Sequence, residues 1–135
     1  MKELKGSEKQ VKWANDLRKF YIRHQNLVKE MILDEIGITD DIKQELKLCG
    51  FETLDEAFDV IKNIESAKVI IEEFKGLNEN SIENSRRYIE ETFEECKHLT
   101  DKAALSHKDL WVCHIISTAE ALLEEENELR KRGRL

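Results

Sequence analysis

The chain of 135 residues contains no proline. Sandwiches and barrels rich in tight turns rarely dispense with it, whereas long helices do so readily. It contains only five glycines, four of them where helices are expected to begin or end. A phosphate-cradling glycine loop therefore has no candidate, and no P-loop, G-x-G-x-x-G, G-x-S-x-G or H-E-x-x-H is present. No apolar run approaches the ~18 residues that cross a bilayer, and the opening MKELKGSEKQ lacks the apolar core of a secretion signal. The three cysteines, Cys49, Cys96 and Cys113, are odd in number and widely spaced. That argues against a disulfide framework and, with the preceding points, for a cytoplasmic protein without membrane contact.

What the chain has instead is charge. Asp, Glu, Lys and Arg make up 38% of it, well above the typical quarter. The net charge of −7 is unevenly spread. Residues 1–30 and 130–135 each sum to +4, and residues 31–129 to −15. Basic ends flank an acidic body.

Helix punctuation recurs along the sequence. Ser7 with Gln10 fits a capping box, and Val11, Ala14, Leu17, Tyr21 and Val28 recur at helical steps. Trp13, Leu17, Phe20, Leu27 and Met31 widen that stripe. The pattern predicts a helix from about residue 8 to 35, ending at Gly37. Thr39–Asp40 opens a short helix closed by Gly50. Thr53 with Glu56 opens a third, Ser66 a fourth ending at Gly76, and Asn78 or Asn80 a fifth through Ile82, Ile89, Phe93 and Cys96. KVIIEEF is the one stretch with strand character, but a lone strand has no partner, so a helix is expected there. Ser106, with Asp109 three residues on, is expected to cap a last helix. That helix is apolar almost all round from Leu110 to Leu123, and so is expected at the centre. Beyond Leu123 the sequence EEENELRKRGRL predicts a projecting helix end and basic tail over residues 124–135. Together these features predict a single all-α domain, a compact bundle of about six helices with long first and last members.

Candidate chemistry is sparse. Glu95 and His98 form one E-x-x-H, where di-iron bundles use two. Cys96, His98, Cys113 and His114 match no familiar zinc spacing. Cys113 and His114 are adjacent, which sets them ~100° apart on a helix, so neither orients the other. No metal, cofactor or catalytic residue is assigned, and the expectation is a protein that is not an enzyme.

Two charged surfaces remain. The acidic one comprises Glu83, Glu90, Glu91, Glu94 and Glu95 with Glu124, Glu125 and Glu126. Carboxylates ~5–6 Å apart on a helix repel one another, and such a field attracts basic grooves, including those that hold nucleic acid. The basic one comprises Lys9, Lys12, Trp13, Arg18 and Lys19 with Arg130, Lys131 and Arg132. Cations interleaved with an aromatic can hold phosphates and stack on bases, although residues 130–134 also complement the negative end of the last helix. Self-association through Leu110–Leu123, giving a homodimer, is a third use of the apolar surface.

The stretch Leu4-Lys5-Gly6-Ser7-Glu8-Lys9-Gln10-Val11-Lys12-Trp13-Ala14-Asn15-Asp16-Leu17-Arg18 resembles the opening of small proteins carried by phages and mobile elements in bacteria, roughly L-x-G-S-x-K-Q-x-x-W-A-x-x-[IL]-R. The shared positions are Gly6, Ser7, Lys9, Gln10, Trp13, Ala14 and Arg18. The resemblance implies a mobile-element setting and no particular activity. Within that setting the expected function is an acidic face docking on a basic protein partner, concretely as an inhibitor of a host defence nuclease (anti-CRISPR-like). The alternative is a nucleic-acid-binding accessory protein that uses the basic first helix and tail.

Overall fold

The computed structural model describes residues 1–134. It is 78% helical, has six helices and, among the described residues, no strand. α1 runs Glu8–Val28 and continues through a π-helical turn, Lys29–Leu33, into Asp34–Ile36. α2 is Asp40–Cys49, α3 Leu54–Asn63, α4 Ala67–Phe74 and α5 Glu79–Cys96. α6 has a short limb, Asp101–Lys108, and a long limb, Leu110–Lys131.

Most boundaries follow from side chains that satisfy first-turn amides. Ser7 Oγ accepts from the Gln10 N–H at 3.2 Å, and Gln10 Oε1 accepts from the Ser7 N–H at 3.1 Å, closing the expected box. Thr39, Thr53, Ser66 and Asn78 cap α2 to α5 in the same way. Glu56 departs slightly, reaching past Thr53 to the Glu52 N–H. The KVIIEEF stretch is helical, as expected.

The last helix begins earlier than Ser106. Thr100 caps the short limb, and Ser106 lies inside it, its hydroxyl donating to Asp41 Oδ2 at 3.4 Å. The helix is interrupted at Asp109, whose carbonyl accepts from the Val112 and Cys113 N–H groups and so starts the long limb.

The long limb is the central element. Val112, Ile115, Ile116, Ala119 and Leu122 are buried, and the limb packs on α2 and α3 while α1 packs on α4. Each fully buried Ile or Leu contributes roughly 1.5–3 kcal/mol. The apolar circumference is not wholly used: Leu110 is 59% exposed and Trp111 only half-buried. α5 lies against α1 and the short limb.

Two expectations about charged residues are corrected here. Over the expected projecting end, residues 124–135, most side chains are exposed but two are tied inward, and Leu135 lies outside the described residues. Glu126, expected on an acidic surface, is 3% exposed, and Leu129 packs against the core. Glu126 Oε2 accepts from the Glu65 and Ser66 N–H groups at 2.9 and 3.4 Å, and its Oε1 meets Arg130 at 2.8 Å. Arg18, expected on a basic surface, is 3% exposed. It donates to the carbonyls of Ile64 (3.3 Å) and Lys2 (3.0 Å) and to Asn15 Oδ1 (3.0 Å). Both side chains serve the turn between α3 and α4. The N-terminal strap lies along the same turn, with Lys5 N–H donating to the Glu65 carbonyl and the Lys5 carbonyl accepting from Ala67. Gly6 makes that approach feasible. Its φ is +154°, and a Cβ there would stand 3.2 Å from Ala67 Cβ.

Removing the Glu126 carboxylate strands two amides that it now satisfies. Glu126→Ala should lower stability by about 2–3 kcal/mol, against about 0.5 kcal/mol or less for Glu124→Ala two residues away on the exposed face. Urea unfolding of the two variants measures the difference.

Candidate functional site: an acidic helix and the groove at its end

The acidic residues of α5 lie where a partner could reach them. Glu83, Glu90, Glu91, Glu94 and Glu95 are all exposed. Buried Ile82, Ile89 and Cys96 take the inner face, and helical spacing turns the glutamates outward. Glu83 pairs loosely with Arg86 at 3.9 Å and Glu94 with Lys97 at 2.8 Å. Glu90, Glu91 and Glu95 have no ion-pair partner among the described residues. α5 carries six Glu against two Arg, and no basic residue occupies its last turn. Four of the six glutamates sit in the final two turns, where the helix dipole already presents negative charge.

Glu124 and Glu125 are also exposed, on the long limb. Burial pushes the Glu125 carboxyl above its ordinary value, and the nearby Glu73 and Glu72 charges push it further. The third member of that segment, Glu126, is internal. Seven of the eight expected carboxylates are thus accessible, in two groups on different helices.

The basic set fares less well. Lys9, Lys12, Lys19, Lys131 and Arg132 are exposed, but Arg18 is interior. Arg130 is held by Glu126 and by Glu65 at 3.4 Å, and Arg132 faces Glu128 at 3.5 Å. Trp13, expected to widen the core stripe of α1, is 47% exposed.

Sequence reasoning missed a groove of about 580 Å³ where α5 ends and the long limb begins. Leu99, Leu110 and Trp111 give it apolar walls, and Glu95, His107 and His114 stand among them. Leu99 is 41% exposed, and Cys96 closes the floor. Behind Trp111 lies His24, whose pKa is lowered by burial and, secondarily, by His114. The one available signal was Leu99, an apolar residue in a polar stretch that no periodic stripe absorbs; Leu110 and Trp111 read instead as part of the apolar run of the last helix.

A second cluster lies between α2 and the long limb. Cys49 donates to Glu45 Oε1 at 3.4 Å. Burial, that hydrogen bond and the Glu120 charge push its pKa up to about 12, and Cys113 is pushed up to about 11 by burial and by Asp109, Glu45 and Asp41. Both thiols stay protonated at neutral pH and are poor nucleophiles. Among the described residues no three His, Cys, Asp or Glu side chains gather as a metal site, and no helix is long and apolar enough to cross a membrane. Comparison of the chain with family models, curated proteins and solved structures finds no match.

Asp109, between the two limbs of α6, is 2% exposed and accepts from Thr39 Oγ1 at 2.7 Å. Burial raises its pKa, the Thr39 hydroxyl pulls it partly back, and Asp41 adds to the rise. A carboxyl raised above 3.8 binds its proton more readily folded than unfolded, so its ionisation erodes stability as pH climbs through the folded pKa. Asp109→Asn removes that loss while keeping an oxygen for Thr39. Urea unfolding should therefore place the variant more favourably against the native protein at neutral pH than near pH 4; an unchanged difference would mean that Asp109 does not titrate abnormally.

Proposed function

We propose that the protein is a non-enzymatic interaction module that docks the acidic face of α5 on a basic protein surface. The observation carrying this reading is the placement of Glu90, Glu91, Glu94 and Glu95 at the negative end of their helix, with only Glu94 ion-paired. Each anion so placed costs an isolated helix a few tenths of a kcal/mol, where a cation would add stability. Packing does not call for that pattern, and a cationic partner relieves it. Glu83 extends the face along α5; Glu124 and Glu125 present a second carboxylate group.

In the mobile-element setting that the opening motif suggests, the partner is a host nucleic-acid-handling protein. Carboxylates would take the place of phosphates in its basic groove and occlude it, as an anti-CRISPR-like inhibitor of a defence nuclease would. Binding then depends steeply on salt. The double reversal Glu90→Lys/Glu91→Lys, on an exposed surface, should fold normally and lose the nucleic-acid-binding proteins that the native chain captures from a bacterial lysate at low salt and releases at high salt. Retention of the same proteins by the reversed chain would sink the reading.

Exposed Trp13 favours a second reading, in which Lys9, Lys12, Lys19 and Trp13 form a nucleic-acid surface, with Arg18 removed from it. In a Trp111→Phe background, single-stranded DNA should quench Trp13 fluorescence at low salt, and Lys9→Ala/Lys12→Ala should weaken binding about tenfold. Unchanged fluorescence at low salt would eliminate this surface.

A further inference from the structure

The groove beside α5 has a shape and a charge that together specify an occupant. Its volume of about 580 Å³ lies within the ~300–1,000 Å³ of ordinary ligand sites. Its walls are the half-buried ring of Trp111 and the side chains of Leu99 and Leu110. No lysine or arginine lines it. Glu95 stands on its rim without an ion-pair partner, Glu91 lies one turn back on the same helix, and the negative end of α5 points toward it. His107 and His114 also line it, and its one carboxylate is Glu95, so a phosphate or carboxylate would meet a like charge and no lysine or arginine. A purely apolar chain would leave the field of Glu95 unanswered.

We propose that this groove seats an arginine side chain of the basic partner. The proposal rests on the acidic-face reading above and deepens it by naming the anchor. Arginine meets both requirements at once. Its aliphatic stem covers Leu99 and Leu110, and its planar guanidinium stacks on Trp111 while donating to Glu95. Apolar walls raise the strength of that pairing, because they exclude water from one side of it. The α5 glutamates attract a cationic surface from a distance; the groove fixes which residue of it enters. Aromatic and arginine anchors of this kind, surrounded by weaker charged contacts, dominate many protein interfaces.

Acetyl-argininamide, with its neutral isostere acetyl-citrullinamide as control, tests the site on the full chain. The Trp111 indole N–H and the Leu99 and Leu110 methyl signals should shift saturably with the arginine probe at low millimolar concentration, and not with citrulline, consistent with the ~4 kcal/mol of millimolar binding. Glu95→Gln and Leu110→Ser, both at exposed positions, should each weaken the response about fivefold or more. Equal response to both probes, or none to arginine, overturns the proposal. So does a native dimer that Leu110→Ser dissociates, since a second copy would then own the groove. The two readings separate cleanly. If the groove takes arginine while Glu90→Lys/Glu91→Lys leaves partner capture intact, the site stands and the acidic-face reading falls. If the groove ignores arginine while those reversals release the partner, the face stands and the anchor falls.

Discussion

The turn between α3 and α4 is buried, and a buried turn must have its polar backbone satisfied. Ile64 and Ser66 are both almost wholly inaccessible. Water cannot serve them, so three distant segments do. Arg18 of α1 donates to the Ile64 carbonyl, Glu126 of the long limb accepts from the Glu65 and Ser66 amides, and Lys5 of the N-terminal strap bonds the Glu65 carbonyl and the Ala67 amide. Charged partners make such bonds stronger than neutral ones. The turn thereby locks both ends of the chain to its middle. Lys2, Lys5 and Arg130 gather around Glu65 at 3.4–3.5 Å, which gives the two basic ends of the sequence a common place in the fold.

That constraint accounts for the two charged residues whose roles differ most from expectation. A cation among lysines and an anion among glutamates look like members of a charged surface. Residue type does not distinguish Arg18 from Lys19, or Glu126 from Glu125. The distinction comes from which face of the helix meets the buried turn. Both residues fall on the inward stripe, Arg18 four after Ala14 and Glu126 four after Leu122. The helix starts were far more legible, because Ser7, Thr39, Thr53, Ser66 and Asn78 cap through bonds spanning three residues. Thr100 caps by the same means, but Ser106 stands nearer the apolar run and so is the more conspicuous start in sequence. Trp13 shows the limit of periodicity: the stripe is wide enough in sequence to include it, but the neighbours of α1 do not extend over it.

The groove was not legible for a related reason. It lies between two segments, the end of α5 with Leu99 on one side and His107, Leu110, Trp111 and His114 of α6 on the other. Those four residues share one helix face, yet Leu110 is exposed and Trp111 half-buried, because α5 ends before it covers them. The groove is therefore a product of tertiary geometry acting on residues that an all-round apolar pattern assigns to the core.

Charge and shape then coincide at one place. Four of the six α5 glutamates lie in its last two turns, and the recess opens at that end, so negative charge and apolar surface meet there. Glu83, Glu90, Glu91 and Glu94 of the same helix face solvent, where screening weakens them within about 8–10 Å. At the recess, Glu95 shares its surroundings with Trp111 and two leucines. A cation arriving there would face less dielectric screening than at Glu83 or Glu124, and would cover apolar surface in the same step. The acidic face alone predicts attraction with little choice of partner. In the docking proposed above, the recess would supply the selectivity that a uniform field lacks, because only a residue that is both long and cationic would satisfy its walls and its rim together.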